Sequence, residues 1–149
     1  MKTLILNMYL IIPLLAWGQT FEEVVDFNID LSSLSNPDVV RDVAKDGRVI
    51  ILEGLLRDIT VEETEAGGSL WITLIGGEWI GTSEVLAYSC RIKFSGGEWL
   101  EIFSETESDS ENSGRITPGD RMLVAAKAVG LNPENQIAEL EMVDYRVFK

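Results

Sequence analysis

From residue 85 to residue 94 polar and apolar side chains alternate. Leu86, Tyr88, Cys90, Ile92 and Phe94 fall on one side, and Ala87, Ser89, Arg91 and Lys93 on the other. A period of two predicts a strand with one face in a core. Just before it, Leu70, Trp71, Ile72, Leu74 and Ile75 make a denser apolar run. That is the pattern of a strand covered on both faces, and it places Trp71 in the core. Both strands end in the same four residues, Gly76-Gly77-Glu78-Trp79 and Gly96-Gly97-Glu98-Trp99. A motif that occurs twice is not an array, so no repeat architecture follows.

The rest of the chain adds elements to this pair. Ser35 or Asn36, then Pro37 and Asp38, reads as a helix start: a side-chain cap, a proline at the first helical position and an acid where the helix dipole favours one. Val39, Val40, Val43 and Ala44 recur at helical spacing, with Gly47 just past the end. The spacing predicts a helix of about ten residues with one apolar stripe. Residues 48–64 predict a long strand in which Gly54 marks a bulge or bend. Thr117-Pro118-Gly119-Asp120 turns into a strand over 122–129, and Asn132-Pro133-Glu134-Asn135 is a turn into a last strand over 136–148. The apolar phase of that last strand shifts between Met142 and Val143, which predicts a bulge there. Residues 104–114 are acidic and serine-rich, a solvated loop. Phe27, Ile29 and Leu31 alternate and predict a short strand or extended arm. The expected core is Ile51, Leu74, Tyr88, Ile92, Val124 and Leu140.

Composition narrows the chemistry. Met1-Lys2, an apolar run over 4–17 and Ala16-Trp17-Gly18 before Gln19 have the layout of a secretory signal peptide. The run is short for a membrane span, which needs about 20 apolar residues. The expected organisation is a signal peptide over 1–18, an arm over 19–35 and one barrel domain over 36–149. The expected destination is the periplasm or the medium, with no stable membrane insertion after cleavage. Twelve Lys and Arg stand against 25 Asp and Glu, a net charge of −13. Such a charge repels phosphates and anionic membranes, so nucleic acid is not the expected partner. There is no histidine, which removes the Ser-His-Asp and Cys-His arrangements and the usual zinc sites. Cys90 is the only cysteine and lies on the apolar face of its strand, where a thiol acts as a small hydrophobe.

Five strands with a glycine bend in the first, a hairpin of the second and third and a closing hairpin of the fourth and fifth make a recognisable order. Over 39–147 the chain resembles exported bacterial OB-fold proteins, including the anticodon-binding-like OB family. The matching pieces are Gly47-Arg48-Val49-Ile50-Ile51-Leu52-Glu53-Gly54, Thr117-Pro118-Gly119-Asp120-Arg121-Met122-Leu123-Val124 and the last strand. The resemblance implies a mainly β, five-stranded OB-like Greek-key barrel with one short N-terminal helix. The chain departs from it in carrying the acidic loop where many such barrels have a helix, and in lacking a basic face studded with aromatics. The function this implies is a non-catalytic adaptor that binds a protein partner, or a second copy of itself, through a strand edge.

Three constellations have chemical content. Asp109, Glu111 and Ser113, the Arg115 carbonyl, Thr117 and Asp120 follow the oxygen spacing of a calcium loop, with Gly114 at its sharp turn. Calcium is the one cofactor this implies, and a plain acidic loop is the alternative. Trp79 and Trp99, each beside a glutamate, could face one another across a barrel rim and grip a planar or cationic ligand with Glu78 and Glu98. The alternative is that each indole plugs a barrel end or covers its own hairpin. Finally, Glu78 and Glu98 are the only symmetrically placed acids for carboxylate-based cleavage of a glycan.

Overall fold

The computed structural model describes residues 25–65, 67–96, 98–103 and 114–148. The signal-peptide reading of 1–18 and the loop ligands Asp109, Glu111 and Ser113 lie outside them. Among the described residues the strands are β1 (Val25–Asp26), β2 (Val49–Thr64), β3 (Gly67–Ile80), β4 (Glu84–Ser95), β5 (Arg121–Leu131) and β6 (Ala138–Phe148). The helix, α1, spans Pro37–Asp46.

Gly54 divides β2 into halves with different neighbours. From Val49 to Leu55 β2 pairs antiparallel with β5, and from Leu55 to Thr64 with β3. A Cβ at Gly54 would lie 2.7 Å from the Ile75 carbonyl oxygen and 2.8 Å from Leu74 Cγ, so only glycine lets the strand bend against β3 here. The Pro118-Gly119-Asp120 turn seals the same place. The Leu56 N–H donates to the Asp120 carbonyl at 2.8 Å, and the Gly119 N–H donates to the Leu56 carbonyl at 2.7 Å. β3 pairs antiparallel with β4, β4 runs parallel to β6 from Cys90 to Lys93, and β6 returns antiparallel to β5. The result is a closed five-stranded OB-like Greek-key barrel of β2 to β6, the architecture expected.

Inside it Ile50, Leu52, Leu56, Leu70, Ile72, Leu74, Cys90, Ile92, Phe94, Met122, Val124 and Leu140 are buried. Leu74, Ile92, Val124 and Leu140 are where the pattern placed them. Ile51 and Tyr88 are only half-buried. Ile51 follows Ile50, whose side chain takes the inward position, and an unbroken apolar run does not say which parity wins. Tyr88 has the right parity but lies beyond the covered half of its strand.

α1 has the ends predicted: the Asn36 side chain accepts the Asp38 N–H at 3.0 Å, and Gly47 takes φ 65°. Its Val40 and Val43 are buried. In β6 Asp144 opposes Ala125 and Met142 opposes Ala126, which leaves Val143 as the bulge. The strand option for Phe27, Ile29 and Leu31 is a correction. Among the described residues of 19–35, Val25 and Asp26 form a strand, parallel to β2, and Phe27 to Leu31 do not. Asp30 accepts hydrogen bonds from both hydroxyls of Ser32 and Ser33 at 2.7 Å, which turns the chain into a 3-10 turn over Ser33–Ser35. Leu31 and Leu34 then enter the core.

Candidate nucleic-acid interface

Strand alternation that sends Leu70, Ile72 and Leu74 inward sends Trp71 and Thr73 outward. Trp71 is therefore not a core residue but stands half-buried on the outer face of the barrel. The registers align two rows across this face. Thr60, Trp71, Lys93 and Glu141 form one, and Asp58, Thr73, Arg91 and Glu139 the other. The Arg91 guanidinium carbon lies 4.5 Å from the Trp71 ring centroid and Lys93 Nζ 5.7 Å from it. Both distances are within reach of cation–π attraction.

The platform is held from both sides. Trp71 Nε1 donates to Glu62 Oε2 at 3.0 Å, which fixes the indole. Arg91 Nη1 donates to Glu139 Oε1 at 3.2 Å, and Asn132 Nδ2 donates to the same oxygen at 2.9 Å. A flat indole, a flat guanidinium and an ammonium thus share one open sheet face. Rings and guanidinium planes are surfaces on which a base can stack, and Lys93 can meet phosphate. Two cations here stand beside Glu62, Glu139 and Glu141, so the electrostatic part of any such binding is small.

The residues singled out from sequence fall elsewhere. Trp79 is 71% exposed near the tip of the β3–β4 hairpin, paired with Val85. Trp99 sits in a 3-10 turn after β4; its ring packs edge-on to Phe94 at 4.8 Å, and its Nε1 donates to the Ser95 carbonyl at 2.8 Å. Ser95 pairs with Ser69, and from Ser69 to Trp79 the strand runs about 34 Å at the usual rise. The two indoles occupy opposite ends of the hairpin and share no rim. Glu78, in β3, and Glu98, in the 3-10 turn, are separated in the same way, whereas glycan-cleaving carboxylates stand about 5–9.5 Å apart. Identical tetrapeptides diverge because the first continues a paired ladder while the second opens on Gly96 at φ 103°, which turns the chain out of β4.

Of the calcium-loop residues, Arg115 is half-buried, and Asp120 accepts the Thr117 N–H at 3.0 Å and so closes the turn before β5. Among the described residues no group of three or more metal-binding side chains comes together. Cys90 is fully buried, and burial pushes its thiol up to about 12. Because the thiolate is the reactive form, an aromatic disulfide reagent is expected to leave Cys90 unmodified in native protein and to react once denaturant is added.

No protein-family model matches the chain, and no curated protein does. Solved structures that it resembles include a small single-stranded DNA-binding protein from Streptomyces coelicolor at 12% identity and TM-score 0.43, over 67% of this chain and 91% of that one. A second is the Plasmodium falciparum SSB in complex with ssDNA, at 16% identity and TM-score 0.41, over 68% and 94%. A third is a putative aspartyl-tRNA synthetase from Leishmania major Friedlin, at 11% identity and TM-score 0.45 over 88% of this chain; the match spans 22% of that much longer protein. Single-stranded DNA-binding proteins recur among these similar structures. That likeness is one of fold alone. The expectation of a protein adaptor, with nucleic acid set aside for want of a cationic aromatic face, is corrected by the geometry. The face that the sequence pattern lacked is present, assembled from Trp71 on one strand and Arg91 and Lys93 on the next.

Proposed function

We propose that the outer face of β3 and β4 binds a short stretch of single-stranded nucleic acid, without catalysis. The observation that carries this reading is Trp71, held on an open sheet face with Arg91 over its ring and Lys93 beside it. A base stacks on the Trp71–Arg91 pair while Lys93 meets the adjoining phosphate. Recognition of this kind is sequence-tolerant, since every base has a flat face. Arg91 is already paired with Glu139, so Lys93 is the cation left for phosphate, and binding is weak and depends little on salt. A slope of about −0.7 in log K against log salt is expected for one phosphate on a single strand.

Fluorescence anisotropy of a labelled oligothymidine at low salt tests the reading. Trp71→Ala is expected to weaken binding by about 1–3 kcal/mol, the worth of one stacked base. Arg91→Ala with Lys93→Ala should flatten the salt dependence. If the oligothymidine shows no saturable binding, or binds Trp71→Ala as it binds the parent, the reading is wrong.

A further inference from the structure

On the opposite side of the β3–β4 ribbon the far half of the hairpin overhangs the barrel wall and, with the arm, encloses an open cleft of about 570 Å³. That volume lies in the range of small-ligand sites, about 300–1,000 Å³. Strand parity separates this cleft from the Trp71 face: Glu78 and Tyr88 share the side of Leu74 and Cys90, not that of Trp71. Gly76 and Gly77 form part of its wall without putting side chains into it. A Cβ at Gly76 would meet Leu31 Cδ2 at 2.9 Å, so the glycine also lets the arm seat against the hairpin.

Among the described residues the lining has one sign of charge: Asp30 from the arm, Glu53 from β2 and Glu78 from β3 converge on it, and none of those described is a lysine or arginine. Glu53 is matched by an ion pair with Arg121, which leaves Asp30 and Glu78 to face an occupant. Hydrogen bonds from the Ser33 and Ser32 hydroxyls hold the Asp30 carboxyl below the usual carboxylate range, so it is charged at any ordinary pH. The Tyr88 hydroxyl points to Glu78 Oε2 at 3.5 Å, and Ile51 and Leu123 supply apolar wall. An anion is repelled here, and a neutral apolar ligand would strip water from two carboxylates with nothing in return. A cation with an alkyl body answers both halves of the lining: its ammonium reaches the carboxylates and the Tyr88 ring, and its chain lies on Ile51 and Leu123.

We propose that this cleft is a binding site for a small organic amine, a mono- or diammonium ion on an alkyl chain. The site is separate from the nucleic-acid reading and does not depend on it. Isothermal titration of the full chain with 1,4-diaminobutane, and in parallel with the uncharged 1,4-butanediol, tests it. Saturable heat with a Kd of about 1 mM or tighter is expected for the diamine and none for the diol. Glu78→Gln, an exposed change that touches no core residue, should weaken the diamine about tenfold, a loss of about 1.4 kcal/mol. Asp30→Asn should do the same, while Trp71→Ala and Glu134→Gln leave binding unchanged. Equal heats for diamine and diol would overturn the proposal. So would parent-like binding by both Glu78→Gln and Asp30→Asn, an equal loss in Glu134→Gln, or no saturable heat for the diamine.

Discussion

Gly54→Val is expected to destabilise the barrel by at least about 1–3 kcal/mol, the usual cost of forcing extra atoms into a filled space. The clash is with backbone: the first added carbon would lie 2.7 Å from the Ile75 carbonyl oxygen, and β3 cannot swing aside without opening its ladder to β4. Gly54 is also where β2 exchanges β5 for β3, so the displacement acts at the seam that closes the barrel. Gly68→Ala is the control, because its Cβ meets nothing nearer than the Glu62 carbonyl at 3.9 Å. Urea melts of the two variants should differ clearly in midpoint. Equal midpoints would mean that β2 passes Gly54 without the close approach described.

Ile92→Ala should cost about 2–5 kcal/mol, as a large-to-small change in a packed core does. Ile92 is fully buried, with Ile72 on one side in the β3 register and Leu140 on the other in β6. A cavity there borders the two strands on either side of β4, which can collapse little because both are tied into ladders. Leu86 makes a sharp comparison. It lies on the same face of β4 by alternation, yet it is 45% exposed, because the hairpin extends past the barrel. Leu86→Ala should therefore stay within about 0.5 kcal/mol of the parent. Chemical denaturation of both variants decides the matter, and comparable losses would contradict the extent of the barrel along β4.

The local elements follow from residues close together in the chain. Asn36, Pro37 and Gly47 set both ends of α1, because a cap, a fixed φ and a left-handed residue act within one helical turn. Gly54 announced the bend, the phase slip after Met142 announced the Val143 bulge, and the order of strands and turns was enough to read an OB-like barrel. All of these rest on interactions between residues close in the chain, or on a period that one strand carries alone.

What lies beside what depends on contacts between distant segments. Period-two alternation assigned Leu86 and Ile92 to one face, but how much of β4 is covered depends on where β6 joins it, from Cys90 to Lys93. The two Gly-Gly-Glu-Trp motifs read alike, yet one continues a ladder and the other leaves it, because ladder partners are supplied by distant chain. Trp71 looked like core since its neighbours were apolar. Its place as the centre of a cationic, aromatic face needed Arg91 and Lys93 to be brought across from β4, and the net charge of −13 concealed them. Total charge averages over a surface, whereas recognition is set within a few ångströms by register, and register is a property of paired strands rather than of either one.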